Sequence, residues 1–244
     1  MDQSPFIITG MHRSGTSLIA RFMHFSGMDL GERLLGANPS NPYGHFEDLD
    51  ILDFHKSILL REFNHSMWVT ALPHYTSSDL EQARELFAPR PHKVFWGWKE
   101  PRTSLFLGLW EQVFPHANYL FIIRHPRLVL DSLKRRTRAK WYHFWQYNRY
   151  LANWLLYNQA CYQFWQTHRE NGLLIKLDAI LSQPDRFVSC LQNRLAYSFE
   201  VVNFGKVYDE RVLNLKRPSP ILMSPFLYKR CVEFYDILCE EADL

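Results

Sequence analysis

Apolar residues follow two alternating patterns along the chain. Four short runs are almost wholly apolar: Phe6-Ile7-Ile8-Thr9, Val94-Phe95-Trp96-Gly97-Trp98, Tyr119-Leu120-Phe121-Ile122-Ile123 and Leu173-Leu174-Ile175-Lys176-Leu177. A strand covered on both faces leaves a continuous run rather than strict alternation, so these predict buried strands. Helix-period segments lie between them. Ser17 to Ser26 carries Leu18, Ile19, Phe22, Met23 and Phe25, with Gly27 as a stop. Pro126 to Arg136 predicts a second helix, its proline in the first turn where no partner is lost. Ser78-Asp79-Leu80-Glu81 reads as a capping box opening a helix that Pro89 and Pro91 end. Trp141 to His168 predicts the longest helix. Strands alternating with helices imply an α/β fold, three-layer α/β/α with a central parallel sheet.

Length fits this picture, since 244 residues with 47% hydrophobic content suit one domain spanning residues 1–244. A formal net charge of +3 is too small for a general nucleic-acid binder, so useful positive charge must be local. No apolar run approaches the ~18 residues of a membrane span, and Met1-Asp2-Gln3-Ser4-Pro5 is no signal peptide, which predicts a cytoplasmic protein. Cys161, Cys190, Cys231 and Cys239 form no CxxC pair and sit among apolar residues, as buried free thiols do.

The most informative stretch is Gly10-Met11-His12-Arg13-Ser14-Gly15-Thr16-Ser17, between the first strand and a helix. A glycine-bracketed turn feeding a helix N-terminus aims backbone N–H groups at one spot, where the helix dipole also favours an anion. Thr16 and Ser17 can add hydroxyl donors. The stretch nearly matches G-x-x-x-x-G-K-[ST], but Thr16 stands where that motif has lysine, and the basic residue is Arg13 inside the loop. The third strand ends in Arg124, where a nucleoside triphosphatase would place a magnesium-binding Asp. Arg124 at a strand's carboxyl end lies in the usual ligand crevice of an open α/β sheet, and its guanidinium suits a phosphate. Ser132 follows it by eight residues, on the next helix.

Taken together these residues resemble the sulfotransferases that use 3′-phosphoadenosine 5′-phosphosulfate. That family holds the 5′-phosphosulfate with a loop of the type [PR]-[KR]-[ST]-G-T-[ST], matched here by His12-Arg13-Ser14-Gly15-Thr16-Ser17, and the 3′-phosphate with an Arg and a Ser eight residues on, matched by Arg124 and Ser132. The similarity runs from about Phe6 to Pro184 and is closest to the branch of many bacterial enzymes and the carbohydrate and tyrosyl-protein sulfotransferases. It implies a P-loop NTPase-like sulfotransferase fold, 3′-phosphoadenosine 5′-phosphosulfate as co-substrate, 3′-phosphoadenosine 5′-phosphate as product, and an acceptor hydroxyl or amine, with no metal. Arg13 is then placed beside the leaving phosphate. Lys99, in Trp98-Lys99-Glu100-Pro101-Arg102, resembles the family's Lys-x-Pro element near the reacting group. Glu47, in Tyr43-Gly44-His45-Phe46-Glu47-Asp48, resembles a Gly-aromatic-aromatic-Glu-Asp segment whose glutamate is the general base; it could equally favour a helix N-terminus, and His45 is the alternative base. His12 and His125 read as binding or packing residues.

Two stretches depart from the family. Leu177-Asp178-Ala179-Ile180 replaces a Tyr-Glu-Asp-Leu-like segment, and Asn214-Leu215-Lys216-Arg217-Pro218 matches a basic lid only loosely. Lys134 to Lys140 holds five basic residues in seven, either a neutralising patch or a solvated helix end. The aromatic run Trp141, Tyr142, Phe144, Trp145, Tyr147, Tyr150 and Trp154 either lines an acceptor pocket, packs internally or forms a homodimer contact. A P-loop kinase and a nucleotide-binding module without turnover are the alternatives to a sulfotransferase.

Overall fold

A computed structural model describes residues 4–38, 41, 43–88, 94–137, 140, 142–194, 204–207 and 220–244. Its centre is a four-stranded, wholly parallel sheet in the order β2-β1-β3-β4: β1 (Phe6–Thr9), β2 (Gly97–Lys99), β3 (Asn118–Ile123) and β4 (Gly172–Lys176). The register pairs Ile8 with Lys99, Thr9 with Phe121, and Ile123 with Lys176, so the carboxyl ends of all four strands finish along one edge. That edge is where an open α/β sheet binds ligands.

Successive strand residues point to opposite faces, and each face has its own core. Ile7, Trp98, Tyr119, Phe121, Ile123 and Leu174 join one cluster, packed against α2 (Leu49–Phe63), α4 (Leu107–Val113), α6 (Phe144–Thr167) and the C-terminal α10 (Pro225–Glu241). Phe6, Ile8, Leu120, Ile122, Leu173 and Ile175 join the other, under α1 (Thr16–Phe25), α8 (Pro184–Arg194) and Phe204 of α9 (Phe204–Val207). This two-sided burial is why the strands read as continuous apolar runs. Among the described residues no helix is long and apolar enough to cross a membrane. All four cysteines are free; Cys161 and Cys231 are buried, Cys190 and Cys239 only partly.

Three element starts differ from expectation by more than one residue. The second strand starts at Gly97 rather than Val94, because Val94 is exposed while Phe95 and Trp96 turn into opposite cores before the ladder begins. Gly97 lies so close to β1 that a Cβ there would stand 1.9 Å from the Phe6 carbonyl oxygen. The shift makes Lys99 the last residue of the strand. The helix α3 (Ser77–Glu85) is capped earlier than expected: Thr76 is the N-cap and Asp79 completes the box, its carboxylate also gripped by Arg61 at 2.9 and 2.8 Å. The longest helix is α6, three residues shorter at its start than expected.

Candidate functional site

The loop after β1 is shaped by backbone conformations that few residues adopt. Gly10 has φ 142°, and a Cβ there would meet the Ile122 carbonyl oxygen at 2.4 Å, so only glycine lets the loop cross β3. Gly15 (φ 95°) begins α1 as its N-cap, and a Cβ there would strike Leu177 Cδ1 at 2.6 Å. Leu177, which stands in place of the tyrosine of the Tyr-Glu-Asp-Leu-like segment, thus forms a floor beneath the loop at the start of α7 (Leu177–Ser182). No side chain caps α1 and its first turn has no acidic residue, so its leading N–H groups and positive dipole end face the loop.

Between the glycines Arg13 is left-handed at φ 71°, a conformation costing about 1–2 kcal/mol for a residue with a side chain. Two contacts hold it there. Arg124 Nη1 donates to the Arg13 carbonyl oxygen at 3.0 Å, and Arg13 Nε donates to Ser132 Oγ at 2.8 Å. Arg124 follows β3 and Ser132 lies on α5 (Pro126–Thr137); both are buried, and Trp154 of α6 donates to the Arg124 carbonyl at 3.1 Å. The predicted loop and the predicted Arg–Ser pair therefore meet in one cluster. Burial, then the charges of Arg136, Arg124 and Arg135, depress the Arg13 guanidinium to about 10, with Glu47 opposing them. Three cations crowding a fourth disfavour its charge, and an added anion relieves that.

Ser14 is fully buried, and among the described residues neither its Oγ nor His12 Nε2 has a hydrogen-bond partner. A buried polar atom without a partner is costly in a finished structure, so both fit a ligand that supplies one. His12 also packs on Tyr157 at 5.9 Å between ring centres, and burial followed by the Arg102 charge lowers its basicity well below the usual value. His125 serves packing: Nδ1 accepts from Arg127 N at 3.2 Å, and its ring meets Tyr235 edge-on.

The second half of the site is built around Lys99, which is 1% exposed. Its Nζ donates to Glu47 Oε1 at 2.7 Å, to Ser17 Oγ at 3.1 Å and to the His45 carbonyl at 3.2 Å. Residues 45–49 reach it because they pair with 33–35, through Leu35 N to Glu47 O at 2.8 Å and Leu49 N to Arg33 O at 2.8 Å. Asp48, not Glu47, caps α2, accepting from Asp50 N and Ile51 N. Glu47 is thereby free of helix duty and turned inward, 6% exposed. His45 Nε2 is engaged by Asn38 Nδ2 at 2.8 Å, its Nδ1 stands 3.9 Å from Glu47 Oε1, and burial chiefly lowers it to about 4, so it is neutral at neutral pH.

Arg13, Ser14, Gly15, Thr16, Ser17, Glu47, Lys99, Arg124 and Ser132 thus line one edge of the sheet. Sequence reasoning missed what lies beneath. Glu100, fully buried, accepts from His55 Nδ1 at 2.7 Å and Arg102 Nη1 at 2.6 Å, and Trp110 Nε1 donates to His55 Nε2 at 2.9 Å. The only signal for it was three charged residues in Lys99-Glu100-Pro101-Arg102 directly after a buried strand. The aromatic run packs internally at Tyr147, Tyr150 and Trp154, leaving Tyr142 and Trp145 exposed. Trp141, Arg138 and the segment Asn214 to Pro218 lie outside the described residues.

A family model described as the sulfotransferase family matches residues 5–200. The fold is similar to a sulfotransferase from Alicyclobacillus acidocaldarius (14% identity, TM-score 0.56, covering 98% of this chain and 93% of that one). It is also similar to the sulfotransferase domain of the curacin biosynthetic pathway (15%, TM-score 0.55, 96% and 98%) and that of a Synechococcus olefin synthase (15%, TM-score 0.55, 96% and 96%). At these identities the likeness is one of fold. Comparison with curated protein sequences gives no significant match.

Proposed function

The chain belongs to the sulfotransferase family, and on that premise we propose that it transfers a sulfuryl group from 3′-phosphoadenosine 5′-phosphosulfate to an acceptor hydroxyl or amine, without a metal. The observation that carries this reading is the cation cluster around Arg13, in which Arg13 touches Ser132 and is touched by the buried Arg124 while the exposed Arg135 and Arg136 add positive charge. Such a cluster suits a ligand with several phosphate charges at once. Ser17 also fits poorly into magnesium chemistry, since its hydroxyl accepts from the Lys99 ammonium.

In this reading the helix α1 N-terminus, Ser14, Thr16 and Ser17 hold the 5′-phosphosulfate, and Arg124 with Ser132 holds the 3′-phosphate. Glu47 takes the acceptor's proton as the acceptor oxygen or nitrogen attacks sulfur; the bond from sulfur to the bridging 5′-phosphate oxygen breaks opposite. Arg13 and Lys99 stabilise the negative charge that grows on that oxygen. Lys99 is suited to this because one ammonium bridges the base and the donor loop. Positioning and electrostatics do most of the work, as expected where the group in transit needs little covalent help. The four free cysteines fit a reducing compartment, and we place the enzyme in the cytoplasm.

Calorimetric titration with 3′-phosphoadenosine 5′-phosphate, beside ATP, each with and without Mg²⁺, tests the donor. The bisphosphate is expected to bind without metal and ATP weakly; magnesium-dependent ATP binding alone would replace this reading with a kinase. Arg124→Ala, which removes charged hydrogen bonds, is expected to weaken bisphosphate binding by about 10- to 100-fold, and unchanged affinity would remove Arg124 from the site.

A further inference from the structure

A second charged region runs away from the donor site along its rim. Between Ser132 and Arg149 the sequence has six Lys and Arg residues and no Asp or Glu, and Pro220 to Val232 holds Lys229 and Arg230 with no acid. The fold brings these segments together. Lys134 Nζ donates to the Pro220 carbonyl at 2.8 Å, and Ser224 N donates to Asn148 Oδ1 at 2.8 Å, so residues 220–224 bridge the end of α5 and the start of α6. The largest exposed apolar side chains of this region stand around the bridge. Trp145 is 83% exposed, one turn before Asn148; Phe226 is 71% exposed, on the same face of α10 as the exposed Lys229 and Arg230; Tyr142 and Leu222 are 55% and 47% exposed.

We infer that this face docks the protein on an anionic lipid bilayer. Charge complementarity selects the occupant: a surface on which cations outnumber acids, Glu233 being paired with Lys229 at 3.6 Å, attracts anionic headgroups, each cation near the surface adding about fivefold to affinity. The aromatic residues select it further. Tyr142 and Trp145 stand exposed on one short stretch beside Lys140, and Phe226 stands exposed beside Lys229 and Arg230, none of them in a dry centre as at protein interfaces, and Trp, Tyr and Phe so placed settle at headgroup depth. Arg135 and Arg136 join this surface to the cation cluster around Arg13, so the docked face borders the donor site.

Flotation of the full chain with phosphatidylcholine vesicles, with and without phosphatidylglycerol, tests the inference independently of the sulfotransferase reading. Binding is expected only with phosphatidylglycerol and to fall with added salt. Lys140→Glu with Arg230→Glu should weaken it by at least about 25-fold, and Trp145→Ser with Phe226→Ser by at least about tenfold. Unchanged unfolding temperatures in both variants show that the fold is intact. Absence of binding to the anionic vesicles, binding undiminished in the aromatic variant, or retention on single-stranded nucleic acid in place of vesicles would each overturn it.

Discussion

Glu47→Gln is expected to lower the turnover of sulfuryl transfer by about 10²- to 10⁴-fold, with the affinity for 3′-phosphoadenosine 5′-phosphate nearly unchanged. The substitution is chosen because glutamine keeps the shape of the side chain and an oxygen that can still accept from Lys99 Nζ, now 2.7 Å from Glu47 Oε1. Lys99 would then remain beside Ser17 and the donor loop, and what is lost is the capacity to take a proton. His45→Asn is the matching control. Its ring is neutral, its Nε2 is taken by Asn38, and its Nδ1 is too far from Glu47 to share a proton directly, so its loss is expected to cost less than about tenfold. A greater loss in the His45 variant than in the Glu47 variant would move the base to His45.

The loop half of the candidate site was legible because it is local. Strand, glycine turn and helix start follow one another from Phe6 to Ser17, and the geometry demanded at Gly10 and Gly15 leaves its mark in residue type. Arg124 and Ser132 were legible for the same reason, lying on one strand end and the helix after it. That both would close on Arg13 was not, since those contacts span 111 and 119 residues of chain. The other half joins Glu47 to Lys99 across 52 residues, and only family resemblance suggested that both belong to one site; the sequence left Glu47 free to be a helix cap, a task the fold gives to Asp48. The start of β2 misled because Phe95 and Trp96 are apolar for packing reasons, and packing and pairing leave the same mark in a sequence. The buried network at Glu100 left no mark beyond the charged run at its centre, Lys99-Glu100-Pro101-Arg102. Its members come from α2, α4 and the turn after β2, and no periodicity links them.

That network carries the largest expected effect on stability. Glu100 is fully buried, Arg102 is 6% exposed, and both charges depend on one carboxylate, with His55 held between Glu100 and Trp110 and stacked on Phe106 at 4.5 Å. Glu100→Ala would leave an imidazole N–H unpaired and a buried guanidinium with the Ser66 carbonyl at 2.7 Å but no carboxylate in contact, and an uncompensated charge costs about 3–5 kcal/mol. For a chain of this size the unfolding temperature should fall by about 6–20 °C. Glu100→Gln, which retains two polar positions, should lose less. The pH dependence gives a second reading of the same contacts. Although burial would raise the Glu100 carboxyl, Arg102 and His55 outweigh it and hold it well below the usual carboxylate range. A depressed native value means that the unfolded chain binds the proton first, so this stabilisation is complete above about 4.5 and lost as pH falls further. Burial also lowers His12, His45, His55 and His125, whose unfolded forms take up protons below about 6.5. The unfolding free energy of the wild type should therefore decline first below about 6.5 and again below about 4.5, and Glu100→Ala should keep the first decline and show a smaller second one, the remainder coming from Asp79, whose carboxyl the Arg61 guanidinium holds at about 2. Identical acid profiles in the two proteins would show that Glu100 does not carry the charge that the fold is built around.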